Sequence, residues 1–269
     1  LPGFCDTHCH LDFHAFEADR PEVLERARQA GVERILIPGI DLAGSRAALA
    51  LVEQDERLFL AAGVHPNSAL TWQADSAETL RSLAAHPRVA ALGEIGLDYY
   101  RDHAPRPVQR QVFVEQLRLA AELGLPVVIH NRQATEDLLA ILADWHAGLV
   151  AGGSPLAGRP GVLHSYGEAL EPARQALAMN FFIGITGPVT FKNAPELQGV
   201  VRELPLEALL IETDAPFLTP HPHRGRRNEP AYVAWVAQKI AQLQNRPLEA
   251  VARQTTHNAA RLFGWGVLD

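Results

Sequence analysis

The sequence predicts a (β/α)8 TIM barrel, and three observations predict it. Eight short apolar runs recur along the 269 residues, each followed by a stretch with helical periodicity. Runs such as "ALLIE" and "LPVVIH" are continuously apolar, as parallel strands buried on both faces are. Titratable residues gather where the runs end, the face on which such barrels build their sites. A doubly wound open sheet would usually stop at five or six strands and would place a glycine-rich phosphate loop after the first. Here "DTHCHLDF" stands in that place.

In chain order the predicted strands are Phe4 to His8, Arg34 to Pro38, Leu58 to Val64, Val89 to Glu94, Pro126 to His130, Gly161 to His164, Phe181 to Ile185 and Ala208 to Thr213. The intervening helices are predicted over Pro21 to Ala30, Ala43 to Gln54, Ser76 to Ala84, Pro107 to Leu123, Glu136 to His146, Ala169 to Ala178 and Ala194 to Glu203. Two more follow, over Pro230 to Gln244 and Leu248 to Leu262. "GGSPLAGRPG", Gly152 to Gly161, reads as a surface loop ahead of strand six. No repeat, linker or low-complexity segment divides the chain, so one domain over 1–269 is expected.

A net charge of −7 disfavours coating of nucleic acid by the whole surface, although a local basic patch can still meet a phosphate. No apolar run is long enough to span a membrane and no signal-peptide pattern opens the sequence, so a cytoplasmic location is expected. Cys5 and Cys9, the only cysteines, are too far apart along an extended stretch to pair and are expected as reduced thiols. The sequence does not specify an oligomeric state, and a monomer is one alternative.

The polar residues at the strand ends carry the chemistry. Strand one ends in His8 and His10, strand three in His65, strand four in Glu94, strand five in His130, strand six in His164 and strand eight in Asp214. Side chains two apart on a strand share a face, which groups Asp6, His8 and His10 and sends Cys5, Thr7 and Cys9 the other way. Cys9 is thereby read as packing. So many polar groups on one rim are expensive to bury unless something pairs them, and a metal does. Imidazole and carboxylate without thiolate suit Zn²⁺, Mn²⁺ or similar ions, with Mg²⁺ at an oxygen-rich position. With His65 set aside, the six remaining residues exceed the needs of one open tetrahedral site and suffice for two cations about 3.5–4 Å apart.

At this point the sequence resembles the TatD family of metal-dependent hydrolases, barrels of the metallo-dependent hydrolase type, over essentially its whole length. The resemblance rests on "DTHCHLDF", "GVHP", "GEIGLDYY", "VVIHNR", "LHSYG", "TFKNA", "IETDAPFLTP", "HRGRRNEP" and "NAARLF", in that order. It implies that His8, His10, Glu94 and Asp214 hold one metal and that Glu94, His130 and His164 hold the second, with Glu94 as the bridge. It implies DNase activity with two divalent ions, Mg²⁺ or Mn²⁺ for activity and Zn²⁺ as an alternative, typically trimming single-stranded DNA from the 3′ end. "ALGEIG" has no lysine, so the carbamylated lysine bridge of related barrels is not expected. Ser165 and Tyr166 after His164 depart mildly from the family pattern.

Phosphodiester hydrolysis agrees with this donor set, because two cations activate water and neutralise phosphoryl oxygens. Asp214 is the expected general base. His65, Arg132, Tyr99, Lys192 and Arg224 are the candidate substrate contacts. Arg226 and Arg227, followed by Asn228 and Glu229, read as a segment that fixes the rim, and Glu212 as support for Asp214. The tryptophans read as packing anchors. Two other readings compete. One keeps the metals and changes the bond, to a phosphotriester, a lactone or an aminoacyl-tRNA ester; the other is a non-catalytic binding barrel, which predicts eroded ligands where all six are present.

Overall fold

The computed structural model describes residues 3–101 and 103–266; the expected 1–269 domain therefore includes six positions outside the described residues. Eight strands form one sheet in the order β1 to β8, with parallel pairing along it. They are β1 (Phe4–Asp6), β2 (Val32–Pro38), β3 (Leu58–Ala62), β4 (Val89–Asp98), β5 (Val127–Arg132), β6 (Gly161–Leu163), β7 (Phe182–Ile185) and β8 (Leu209–Ile211). Helices α1 (Arg20–Gln29), α2 (Leu42–Val52), α3 (Ser76–Ala84), α4 (Arg106–Leu123), α5 (Thr135–Ala151), α6 (Leu170–Ala178) and α7 (Pro195–Glu203) alternate with them, and α8 (Val233–Gln244) and α9 (Leu248–Phe263) follow β8. This is the (β/α)8 barrel. No helix among the described residues is long and apolar enough to cross a membrane.

Local chemistry sets these boundaries. The Asp41 carboxylate caps α2 by accepting the Gly44 N–H at 2.7 Å. Gly124 ends α4 with φ +67°, a left-handed cap that glycine adopts without steric penalty. The predicted loop at 152–161 contains a short 3₁₀ turn, Pro155–Gly158, which buries Leu156.

Two compact units divide the chain. The first comprises Leu1–Ile37, Ser165–Ala173 and Ile183–Asp269 and carries β1, β8, most of β2 and most of β7. Within it the sheet returns on itself beyond the strand ends: the Thr7 N–H donates to Ile211 O at 3.2 Å, Asp214 N–H to His8 O at 2.8 Å and His10 N–H to Ala215 O at 2.8 Å. The second comprises Pro38–His164 and Arg174–Phe182 and carries β3 to β6. All ten residues of β4 are buried. Beside it Val64, Ala69, Ala104 and Val112 form an apolar cluster that Trp72 packs against, as a packing tryptophan should.

Strand spacing in the second unit depends on glycine. A methyl group on Gly63 would lie 2.7 Å from the carbonyl carbon of Gly93 and 2.9 Å from its Cα and oxygen. All three atoms are backbone and cannot swing aside. Gly63→Ala is therefore expected to lose about 1–3 kcal/mol of stability, read as a lower urea midpoint at unchanged slope; an unchanged midpoint would refute this close approach.

Both thiols are buried and unpaired by any disulfide. Burial pushes the Cys5 thiol up to about 12 and the Cys9 thiol well above its ordinary value. At pH 8 the thiolate fraction of Cys5 is ~10³-fold below that of an exposed cysteine. The native protein is expected to resist a thiol-reactive dye that labels two cysteines after unfolding, and prompt labelling of the folded chain would contradict it.

Candidate metal centre and active site

In the first unit, β1 stops at Asp6, two residues before the predicted end, so His8 and His10 lie beyond the strand. Irregular backbone bonds replace the ladder there: Cys9 N–H donates to Leu36 O at 3.0 Å and Cys9 bridges Ala215. His8 and His10 are buried, and their Nε2 atoms lie 3.7 and 3.6 Å from the same oxygen, Oδ1 of Asp214. Asp214 sits at φ +54°, a left-handed conformation that aspartate and asparagine tolerate better than other non-glycine residues.

Asp6 determines where that aspartate stands. Its carboxylate accepts the Thr213 N–H at 2.9 Å and the Thr213 hydroxyl at 2.6 Å. Burial pushes the Asp6 carboxyl up to about 8, against the pull of those hydrogen bonds. Glu212, fully buried, accepts from the Thr7 hydroxyl at 3.2 Å and from the Ser165 N–H. It braces the strand ends.

The second unit assembles a cluster around one carboxylate oxygen. Glu94 Oε1 lies 2.8 Å from His130 Nδ1, 2.8 Å from His164 Nε2 and 3.6 Å from His65 Nε2. The Glu94 N–H donates to Gly39 O at 2.8 Å, which anchors the backbone from which the carboxylate projects. The predicted strand ended at Glu94, but β4 continues to Asp98 because Gly96, Leu97 and Asp98 pair with His130, Asn131 and Arg132 of β5. Glu94 is thus inside the strand, and Asp98 ends it.

Asp98 was not among the sequence-predicted residues. It is buried, and its Oδ2 lies 3.4 Å from His130 Nε2. Burial works to raise the Asp98 carboxyl, but bonds from His130, the Arg101 N–H and Asn67 hold it well below the usual range. Burial likewise works to lower His130, and the hydrogen bonds to Asp98 and Glu94 raise it on balance. Carboxylates that orient a ligand imidazole through its second nitrogen are the usual support of metal-binding histidines. The signal was present in "GEIGLD", where positions 94, 96 and 98 alternate with period two.

His65 differs from its neighbours. Its Nδ1 accepts the Asn67 N–H at 3.1 Å, so the proton of the neutral ring resides on Nε2. Burial lowers His65 to about 3, which makes the neutral ring the form at physiological pH. His65 thus points an N–H donor toward Glu94 and the space beside it.

The chemistry of each donor set fits a divalent cation. Donors bonded at ~2.0–2.1 Å in a tetrahedral shell stand ~3.4 Å apart. His164 Nε2 and His130 Nδ1 are 3.4 Å apart and the first-unit contacts to Asp214 are 3.6 and 3.7 Å, while Glu94 Oε1 stands closer, at hydrogen-bond distance from both imidazoles. Neither thiol belongs to a group of convergent donors among the described residues.

The remaining predicted contacts have varied surroundings. The Arg132 guanidinium lies 3.9 Å from the ring centre of Tyr100, which is 56 % exposed. Tyr99 donates its hydroxyl to Asp137 at 2.6 Å and carries the Arg106 guanidinium 4.4 Å above its ring. Of the two adjacent tyrosines, Tyr100 is the more exposed, with Arg132 on its ring. Arg224 stacks on Phe191 at 3.8 Å, and Lys192 is exposed. Arg227 pairs with Asp19 at 2.7 Å and Arg26 with Glu229 at 2.7 Å, which ties this segment to α1 and the turn before it.

A TIM barrel that carries clusters of imidazoles and carboxylates within its strands and just beyond them defines a metal-dependent hydrolase. Residues 5–264 match the family model described as TatD related DNase, and the chain belongs to that family. It is 44% identical over 258 residues to the uncharacterized metal-dependent hydrolase YabD of Bacillus subtilis, covering 96% of this chain and 98% of that one. It is 39% identical over 264 residues to a protein of Cronobacter sakazakii named 3′-5′ ssDNA/RNA exonuclease TatD, covering 96% and 97%. Among solved structures, the Escherichia coli TatD homolog YjjV superposes with a TM-score of 0.89 at 33% identity, covering 97% of this chain and 98% of that one.

Proposed function

We propose that this hydrolase is a nuclease that removes nucleotides from the 3′ end of single-stranded DNA, using two divalent cations. The observation that carries the reading is Glu94, whose one carboxylate oxygen is faced by His130 and His164 at 2.8 Å each. The name of the Cronobacter relative supports a nucleic-acid substrate. In this reading His8, His10 and Asp214 hold one ion and His130 and His164 the other, with Glu94 shared. When bound, such ions polarise a phosphoryl oxygen and lower the pKa of water to about neutral.

The chain's own residues supply the rest. Asp214 accepts the proton of the attacking water as general base. Asp98 keeps His130 in the orientation its ligand role requires. The His65 Nε2–H donates to a phosphate oxygen, and Arg132 supplies positive charge at the rim. The free thiols support a cytoplasmic location as part of the same proposal.

The test is purified protein with Mg²⁺, Mn²⁺ or Zn²⁺ in turn on end-labelled single-stranded DNA, alongside RNA, a lactone and a phosphotriester. A ladder shortening from the 3′ end is expected. Cleavage of a non-nucleotide ester with intact DNA would replace this reading by the other-ester one.

A further inference from the structure

Phe217 follows Asp214 by three residues and is 51 % exposed, with Leu218 beside it at 36 %. Its backbone is nevertheless clamped. The Phe217 N–H donates to Asp214 O at 2.9 Å. The buried Asn228 side chain donates to Phe217 O at 2.6 Å and to Thr213 O at 2.8 Å, and the Asn228 N–H donates to Pro216 O at 3.1 Å. The flanking ion pairs, Arg227 with Asp19 and Glu229 with Arg26, hold Asn228 in turn. A large apolar ring is thus held at a defined place with about half of its surface open to solvent.

The ring also stands beside the candidate chemistry. Phe217 meets the His10 imidazole edge-on, with centroids 6.3 Å apart at 71°, and meets Phe13 at 6.1 Å and 77°. Phe13 itself stacks on His10 at 4.4 Å and 25°. The open aromatic is therefore one imidazole away from the Asp214 carboxylate. In a nucleic acid strand, one sugar separates each phosphate from a flat ring whose face stacks on aromatic side chains regardless of base identity.

We propose that Phe217 is a base-stacking platform. It takes the nucleobase adjacent to the phosphodiester held at the ligand cluster, backed by Phe13. A base paired at a duplex end is held in place by its partner, whereas an unpaired terminal base is free to splay out and lay its face on an aromatic ring, so the platform favours single-stranded ends. This inference rests on the nucleic-acid reading of the site given above.

The experiment uses the full chain and its Phe217→Ala, Phe217→Leu and Phe217→Trp variants. Single-stranded DNA with a 3′-terminal 2-aminopurine is added in Ca²⁺, where stacking on the protein quenches its fluorescence. In parallel, kcat/KM in Mg²⁺ or Mn²⁺ is compared between a strand with a normal 3′-terminal base and one with an abasic terminus. The wild type and Phe217→Trp are expected to quench the probe and to prefer the base-bearing end by about tenfold. In Phe217→Ala and Phe217→Leu both quenching and preference collapse. Wild-type behaviour in the leucine variant would overturn the platform while leaving the nuclease reading intact. Quenching that depends on Phe217 without hydrolysis of either strand would keep the platform and refute the nuclease reading. Absence of both signals in the wild type refutes both.

Discussion

Glu94→Gln is expected to lose metal and hydrolysis together while the barrel stays folded. The Glu94 oxygen is 2.8 Å from both His130 Nδ1 and His164 Nε2, so its charge is the focus of the second-unit cluster. Glutamine keeps the shape and removes the charge. Even partners one bond removed from a metal typically contribute 10–100-fold in affinity or activity, so Glu94, as the direct ligand of the proposed reading, should contribute ~10³-fold or more. Metal content after dialysis, end-labelled DNA digestion and circular dichroism read the three quantities separately. A variant that retained its metals and its rate would remove Glu94 from the centre.

Asp214 provides the second large effect, with two readouts that move apart. General-base catalysis is typically worth 10²–10⁴-fold, and in the proposed reading Asp214→Asn removes the base along with a ligand charge. Hydrolysis should fall by at least ~10³-fold. Stability should barely change, because asparagine adopts the φ of +54° found here and the Asp214 N–H bond to His8 O is untouched. Asp214→Ala should lose the same activity and ~1–2 kcal/mol of stability besides, since alanine enters the left-handed region at that cost. Equal melting temperatures for the two variants would contradict the backbone argument. Activity surviving in Asp214→Asn would contradict the chemical one.

Much of this was legible in residue order. Continuous apolar runs such as "LPVVIH" became buried parallel strands because a strand covered on both faces has no polar side to encode. The errors fell where the backbone bonds to distant segments. β4 ran four residues past Glu94 because its far end pairs with β5, and β1 ended early because Cys9 and His10 bond instead to Leu36 and Ala215. The first error concealed Asp98. Tyr99, a predicted substrate contact, is engaged by Asp137 and Arg106, and which of two adjacent tyrosines is the more exposed depends on α4 and α5.

The sequence by itself determined the alternation of elements, the kinds of donor and their order, since each is a property of residue type and local period. Tertiary structure decided which nitrogen meets which oxygen, as at His130 and Glu94, 36 residues apart. It also decided the left-handed turn at Asp214, the support from Asp98 and the exposure of Phe217. Those depend on distances between segments remote along the chain, which packing and long-range hydrogen bonds set and local periodicity does not record.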